Sequence, residues 1–126
     1  MKGFNKIEEA VSAIRNGKMV VVLDDEDREN EGDLLMAAEK VTPQDVNFMA
    51  KEGRGLICVP VEESIADRLN FPPMVEQSAE SHRCCFTISV DYKHWTSTGI
   101  SASDRAKTIK AIANKNSCQN DFVKPG

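Results

Sequence analysis

The stretch MVVVLDDEDRENEGDLLMAA occupies residues 19–38 and joins two short apolar segments through a strongly acidic one. Residues 19–23 form a β-branched apolar run that predicts a buried strand, and residues 34–38 predict a second strand. Residues 24–33 carry seven carboxylates and one arginine, which gives a local charge of −6. Because so many like charges repel one another in a packed element, this acidic segment is predicted to be a loop.

Apolar spacing and turn residues divide the rest of the chain into short helices and strands. The motif TPQD at residues 42–45 combines an N-cap residue, a proline at the first helical position and an acidic third residue, which is typical of a helix start. Ser101 and Asp104 have the same spacing and predict a second capping box. The alternation of elements favours an α/β or α+β layer architecture in which helices cover a mixed sheet. Helices are predicted over residues 4–14, 43–53, 62–69 and 101–113, and further strands over residues 55–60 and 84–90.

Length, charge and cysteine content limit the classes of protein to which the chain can belong. Its 126 residues fit a single domain, and its longest apolar runs are too short to span a bilayer, so no membrane partner is expected. A net charge of −4 argues against a nucleic-acid partner, which needs a basic surface. The first residues contain no apolar segment of the kind that secretory signals carry. The four cysteines are therefore interpreted as reduced thiols of a cytoplasmic protein.

The acidic segment is the strongest indication of chemistry in the sequence. It follows a predicted buried strand, and the ends of such strands are where open α/β sheets bind ligands. Crowded carboxylates bind a hard cation or shift one another's pKa, whereas the structural alternative is a solvated acidic loop. An EF-hand is excluded, because a calcium loop that starts at Asp27 needs a glutamate at its twelfth position, where Ala38 stands.

The segment DDEDRENEGDLLMAAEKVTP, residues 24–43, closely resembles the 3,4-dihydroxy-2-butanone 4-phosphate synthase family of riboflavin biosynthesis. The resemblance continues in family order and covers nearly the whole chain. The further matching motifs lie at residues 55–58, 69–75, 86–91, 98–105 and 121–126.

The resemblance implies a fold, a reaction and a partner. The family domain is one α/β unit with a sheet covered by helices, and it forms homodimers with active sites near the subunit interface. It converts D-ribulose 5-phosphate to 3,4-dihydroxy-2-butanone 4-phosphate and formate with Mg²⁺ or Mn²⁺. Such a reaction needs a divalent cation to stabilise charge on vicinal oxygens and carboxylates to move protons.

The resemblance also implies roles for residues of the acidic segment. Glu29 corresponds to the metal ligand and lies among the substrate-binding residues. Arg28 and Asp33 correspond to substrate contacts, and Asp33 is also expected to be an acid–base group. Glu31 is expected to be a supporting catalytic carboxylate. A structural or field-setting role is expected for the remaining acidic residues, Asp24, Asp25, Glu26 and Asp27.

Two positions outside the acidic segment complete the implied site. Thr98 precedes a predicted helix whose first N–H groups would suit a phosphate, and it is a candidate substrate-binding residue. For Ser101, three residues later, helix capping is the ordinary interpretation. Cys58 corresponds to a cysteine near the family's active site and is a candidate catalytic residue, while a small buried apolar residue is the structural alternative.

Histidines and cysteines in the second half of the chain raise the question of a zinc site. Their spacings match no usual zinc-binding pattern, so zinc is not expected. The family commonly has glycine, threonine and a small residue where Arg83, Cys84 and Cys85 stand, and this departure affects a loop near the substrate. The residues considered for zinc are His82, Cys84, Cys85 and His94.

The family pattern continues past Pro125-Gly126, with an essential histidine, an Arg-x-Gly-His-Thr segment and a catalytic glutamate. Residues 1–126 are therefore expected to be a single partial domain that lacks its C-terminal part. Either the chain is a fragment of a working lyase, or it is an inactive short form that binds sugar phosphate or pairs with a full-length subunit. A dedicated ion-binding module is a third possibility, and the sequence leaves open whether a GTP cyclohydrolase-type domain follows.

The purified 126-residue chain is expected to release almost no formate from ribulose 5-phosphate, because a metal ligand and the main phosphate contacts are not among its residues. A coupled formate assay against a longer form of the protein measures this, and comparable rates would contradict it. The same reasoning predicts exposed apolar sheet surface and marginal stability for the chain.

Overall fold

The computed structural model describes residues 3–76 and 84–126. Short helices and short strands alternate within these residues, and the α+β class expected from the sequence is confirmed. None of the described helices is long and apolar enough to cross a membrane. The helices are α1 (Ile7–Arg15), α2 (Pro43–Phe48), α3 (Glu63–Leu69) and α4 (Ala102–Ala113), and the strands are β1 (Val20–Leu23), β2 (Gly32–Leu35), β3 (Asp91–Tyr92) and β4 (Phe122–Val123).

The described strands pair in two separate antiparallel ladders. In the first, β1 runs against β2, with Val20 opposite Leu35 and Leu23 opposite Gly32. In the second, β3 pairs with β4 near the end of the chain. The described residues therefore do not form the predicted mixed sheet. Strands β1 and β2 pair antiparallel because a hairpin loop joins them, whereas β3 and β4 are separated in the chain by α4.

Two predicted strands are not strands in the structure. Residues 55–60 form no ladder, and half-buried Ile57 and Val59 alternate with exposed neighbours, so only one side of this segment packs on the core. In residues 84–90, only Thr87 takes part in a bridge, and its partner is Pro73. The proline pair at residues 72–73 explains the short pairing, since proline has no N–H with which to extend a ladder.

The helix start at residues 42–45 is confirmed in detail. The Thr42 hydroxyl accepts from the Asp45 N–H at 3.2 Å, and the Asp45 carboxylate accepts from the Thr42 N–H at 2.9 Å. Beyond Phe48, a π-helical turn over Met49–Gly53 continues α2 to the predicted end.

The start of α4 is a capping box in one direction only. The Ser101 hydroxyl accepts from the Asp104 N–H at 3.0 Å, as predicted. The Asp104 carboxylate is turned toward Ser97 and Gly99 in the preceding loop. Helix α4 ends at Ala113, where the sequence placed its end.

The hydrophobic core is built mainly around α4. One cluster of buried residues joins α3, α4 and β4, and within it Phe71 and Phe122 meet edge-to-face at 5.1 Å between ring centroids. A second cluster joins α4 to α2 and to the turn before it. The buried members of the first cluster are Leu69, Phe71, Ala111, Ile112 and Phe122, and those of the second are Val41, Val46, Ala106 and Ile109.

Strand β1 is apolar but exposed, so the prediction of a buried strand is wrong for residues 19–23. Val21 is 64% exposed and Leu23 56% exposed. The hairpin contacts the rest of the fold at two places: β1 lies against α1, and β2 lies against the turn Met49–Gly53, where Leu34 approaches Gly53. The expected exposed apolar sheet surface is confirmed, since both faces of β1 stay open to solvent.

Replacing Leu69 by alanine is expected to destabilise the chain by about 2–5 kcal/mol, because the side chain is fully buried and its removal leaves a cavity. Urea unfolding measures the loss. Leu56→Ala is the matched control, since Leu56 is 80% exposed and its truncation should cost less than about 0.5 kcal/mol. Equal losses in the two variants would contradict the assignment of the core.

Candidate functional site

The acidic segment connects β1 to β2 and lies at the turn end of the hairpin. Residues 24–31 form a loop, as predicted. The last acidic residue of the segment, Asp33, already belongs to β2. The candidate site thus lies at a strand end, although the strands are an antiparallel hairpin. Because β1 and β2 are paired directly, the two ends of the loop are held at a fixed separation.

Asp24 orders the acidic loop. One carboxylate oxygen, Oδ2, accepts from the Glu29 N–H at 3.0 Å, and the other, Oδ1, accepts from the Glu31 N–H at 2.8 Å. The Asp24 N–H in turn donates to the Glu31 carbonyl oxygen at 3.2 Å. Asp24 is therefore a structural carboxylate, and its bonds fix the backbone on both sides of residue 30.

The tip of the loop is closed by local turns. The Asp25 carboxylate accepts from the Asp27 N–H at 2.9 Å, and the Asp25 carbonyl accepts from the Arg28 N–H at 3.0 Å. Asn30 has a φ of +52°, in the left-handed region that asparagine tolerates better than most residues. These contacts use the short acidic side chains as turn formers, which is their usual local role.

Arg28 offsets part of the negative charge. Its guanidinium lies 3.5 Å from the Asp24 carboxylate and 3.2 Å from the Glu29 carboxylate. The N–H groups of Glu31 and Glu29, together with the Arg28 charge, hold the pKa of Asp24 below its usual range. The structure thus brings together Arg28 and Glu29, two of the residues to which the sequence assigned substrate and metal binding.

Asp33 and Cys58 are close enough to interact electrostatically. Asp33 lies in β2 opposite Val22, and Cys58 lies in the unpaired segment that follows α2. Partial burial of the sulfur and the negative charge of Asp33 both raise the pKa of the Cys58 thiol. The thiol is therefore protonated at neutral pH. Cys58 is exposed, so its predicted place inside a buried strand is wrong.

Glu31 and Thr98 occupy different environments. Glu31 is exposed. Its N–H donates to the Asp24 carboxylate, and its carbonyl oxygen accepts from the Asp24 N–H. Thr98 is exposed in the loop before α4, between Ser97 and Gly99, whose N–H groups bind Asp104. Sequence reasoning missed this contact, because an aspartate three residues after Ser101 has the spacing of an ordinary capping box.

Within residues 3–76 and 84–126, no three histidine, cysteine, aspartate or glutamate side chains converge on a common ion position. Glu29 nevertheless fits as a ligand for a hard cation, since Mg²⁺ commonly binds through one or two carboxylates and completes its shell with water and substrate oxygens.

The residues considered for zinc do not gather in the described part of the chain. His94 lies 3.0 Å from the Asp121 carboxylate, and Cys84 and Cys85 are exposed. His82 lies outside the described residues, as does Arg83 of the segment that departs from the family pattern.

The sequence matches the model of one protein family over residues 8–126, and that family is 3,4-dihydroxy-2-butanone 4-phosphate synthase. The chain is 51% identical over 123 residues to the riboflavin biosynthesis protein RibBA of Bacillus subtilis, covering 98% of this chain and 31% of that protein. It is 50% identical over 121 residues to the 3,4-dihydroxy-2-butanone 4-phosphate synthase of Agrobacterium fabrum, covering 96% of this chain and 57% of that protein.

A solved structure shows the same arrangement of elements. A crystal structure of a 3,4-dihydroxy-2-butanone 4-phosphate synthase in complex with two magnesium ions matches with a TM-score of 0.95 at 42% identity, covering 98% of this chain and 57% of that one. The chain thus spans about a third to three-fifths of the length of these three proteins.

Order in the acidic loop is expected to depend on pH through Asp24. Because its pKa is lower in the folded chain than the usual 3.8, the bonds it accepts add stability above that value. This stability is lost as the pH falls through the folded pKa. In NMR titrations, the Glu29 and Glu31 amide resonances should therefore shift with a common midpoint below 3.8.

Asp24→Asn is the variant that tests this assignment, and Asp67→Asn, on an exposed position of α3, is its control. The first should remove the common titration of the two amides, and the second should leave it in place. A midpoint at or above the usual aspartate value would contradict the hydrogen bonds assigned between the Asp24 carboxylate and the two amides.

Proposed function

Since the chain belongs to the 3,4-dihydroxy-2-butanone 4-phosphate synthase family, we propose that it carries part of the active site of a lyase of riboflavin biosynthesis. This lyase converts D-ribulose 5-phosphate to 3,4-dihydroxy-2-butanone 4-phosphate and formate, and residues 1–126 form one partial domain of it. The observation that carries the proposal is the acidic loop that Asp24 orders through its hydrogen bonds. In this loop the Arg28 guanidinium contacts the Glu29 carboxylate at the end of the hairpin. The family match over residues 8–126 supplies the reaction.

In this proposal, Glu29 is a metal ligand and Arg28 orients both the carboxylate and the substrate. The guanidinium holds the Glu29 carboxylate at 3.2 Å and leaves much of its own surface exposed for hydroxyl oxygens of a sugar. A bound divalent cation would supply positive charge that stabilises the negative charge developing on vicinal substrate oxygens. Asp24 keeps the Glu29 backbone in place, so the carboxylate is positioned before any ligand binds.

Asp33, Glu31 and Cys58 are proposed to handle protons. Asp33 offers a carboxylate that takes up a proton from a substrate carbon and contacts the substrate, and Glu31 supports it from the adjacent loop end. The raised pKa of Cys58 keeps its thiol neutral, so we assign it hydrogen-bond donation beside Asp33 rather than nucleophilic attack. Thr98 is proposed to contact the substrate from the loop before α4.

We also propose a divalent cation, a second copy of the chain as partner, and a cytoplasmic location. Carboxylate ligands suit Mg²⁺ and also Mn²⁺, and the magnesium-bound relative supports the first. Association with a second copy is supported by the exposed apolar residues of β1, such as Val21 and Leu23. A cytoplasmic location is supported by the cysteine spacing, since the four cysteines do not follow the disulfide pattern of a small secreted protein.

Formate release by a chimeric enzyme tests the proposed function. In this chimera, the present chain replaces the matching 121-residue segment of the Agrobacterium fabrum relative. Glu29→Gln and Asp33→Asn are each expected to lower kcat by about 100-fold or more, as loss of a metal ligand or of acid–base catalysis does.

Glu26→Gln is the matched control, because it removes one charge from the same loop at a position with no assigned catalytic role. It should change kcat by less than about threefold, in keeping with a screened surface charge. A folded chimera that releases no formate, or a chimera indifferent to both test substitutions, would refute the proposal.

A further inference from the structure

The aspartates at the third positions of α2 and α4 make different contacts, although each follows a hydroxyl cap. Asp45 returns its carboxylate to its own cap, where it accepts from the Thr42 N–H at 2.9 Å and the Thr42 hydroxyl at 2.6 Å. Asp104 reaches past its cap, Ser101, into the preceding turn at residues 97–99. Helix capping alone therefore does not account for the contacts of Asp104.

One oxygen of Asp104 gathers three donors from that turn. Oδ2 accepts from the Ser97 hydroxyl at 2.8 Å, the Ser97 N–H at 3.1 Å and the Gly99 N–H at 3.2 Å. Asp104 is only 4% exposed, and a buried carboxylate is costly unless donors compensate it. The Lys107 ammonium adds charge at 3.8 Å from Oδ1. The Ser97 donors, the Gly99 N–H and Lys107 together hold the pKa of Asp104 below its usual range.

The other side of the turn is constrained by close packing. Gly99 is buried and has a φ of +84°, a conformation that glycine adopts without strain. A Cβ at this position would collide with the Asp91 carboxylate of β3, so only glycine fits. Thr98 lies exposed between Ser97 and Gly99, and the N–H groups of both neighbours donate to Asp104.

We propose that Asp104 is a positioning residue, which holds the 97–99 turn in one conformation and so presents Thr98 to the sugar-phosphate substrate. The inference rests on the proposed function, in which Thr98 binds that substrate. A loop that is ordered in advance loses less conformational entropy when its ligand binds. Asp104 thus acts on the substrate through Thr98, without a contact of its own.

Amide hydrogen exchange on the 126-residue chain tests whether Asp104 holds the turn. Asp104→Ala should speed exchange at the Ser97 and Gly99 amides by about tenfold or more, since each loses its acceptor. Asp104→Asn keeps one oxygen in place and should restore part of the protection. Asp45→Ala is the matched control, because it changes the equivalent position of α2 and should leave both amides unchanged.

Exchange at the α3 amides reports whether each variant stays folded. If Asp104→Ala unfolds, Ser97→Ala is the substitute, since it removes the hydroxyl donor and leaves the carboxylate in place; it should loosen the turn more weakly. Unaltered exchange at Ser97 and Gly99 in a folded Asp104 variant would overturn the proposal.

Titration of the chimera described above with D-ribulose 5-phosphate in the absence of divalent cations, followed at the Thr98 amide by NMR, tests whether Asp104 acts through Thr98. Thr98→Ala and Asp104→Asn should each weaken binding by about fivefold, and the double variant should bind no more weakly than Thr98→Ala alone. Losses that multiply in the double variant would overturn the proposal, because they would show independent roles. No saturable shift in the unsubstituted chimera would refute the proposed substrate and with it the role of Thr98, while the exchange rates would still decide whether Asp104 holds the turn.

Discussion

The packing of α4 against its neighbours is the contact on which the rest of this structure depends. Ala106 and Ile109 face the cluster that includes α2, and Ala111 and Ile112 face the cluster that includes α3 and β4. One helix therefore joins the segments around residues 41–46, 69–71 and 122, which lie far apart in the chain. The described elements are short, and few of them would be stable alone. Their stability therefore depends on packing against this shared helix.

Carboxylates that accept backbone N–H groups are the second organising feature. Asp24 holds the acidic loop, Asp104 holds the turn before α4, and Asp121 accepts from the Cys118 N–H at 2.8 Å and bonds His94 at 3.0 Å. In each case peptide N–H groups stabilise the negative charge, and a nearby basic side chain adds to the effect: Arg28 at Asp24, Lys107 at Asp104 and His94 at Asp121. The acidic loop is consequently ordered by one of its own carboxylates, despite the repulsion among the others.

The hairpin that carries the acidic loop is less well supported than the core. Strand β1 exposes Val21 and Leu23, and the hairpin meets the rest of the fold only through α1 and the turn Met49–Gly53 among the more extensive contacts of the described residues. A two-stranded hairpin is marginally stable by itself. The position of Arg28 and Glu29 relative to the body of the fold therefore depends on a small contact area, whereas the internal geometry of their loop is fixed by Asp24.

Features that arise from short-range interactions could be predicted from the order of the amino acids. The Thr42 cap, the end of α4 at Ala113 and the acidic loop after residue 23 were all predictable, because propensities, hydrogen bonds between neighbours and charge repulsion act over a few residues. Long-range packing determines which apolar segments are buried, that residues 55–60 form no strand, and that Asp33 lies near Cys58. It also decided that Asp104 binds Ser97 and Gly99 while Asp45 binds its own cap. The burial of a side chain and its hydrogen-bond partners depend on elements that are distant in the chain. A local sequence pattern does not show which of these elements will pack against it.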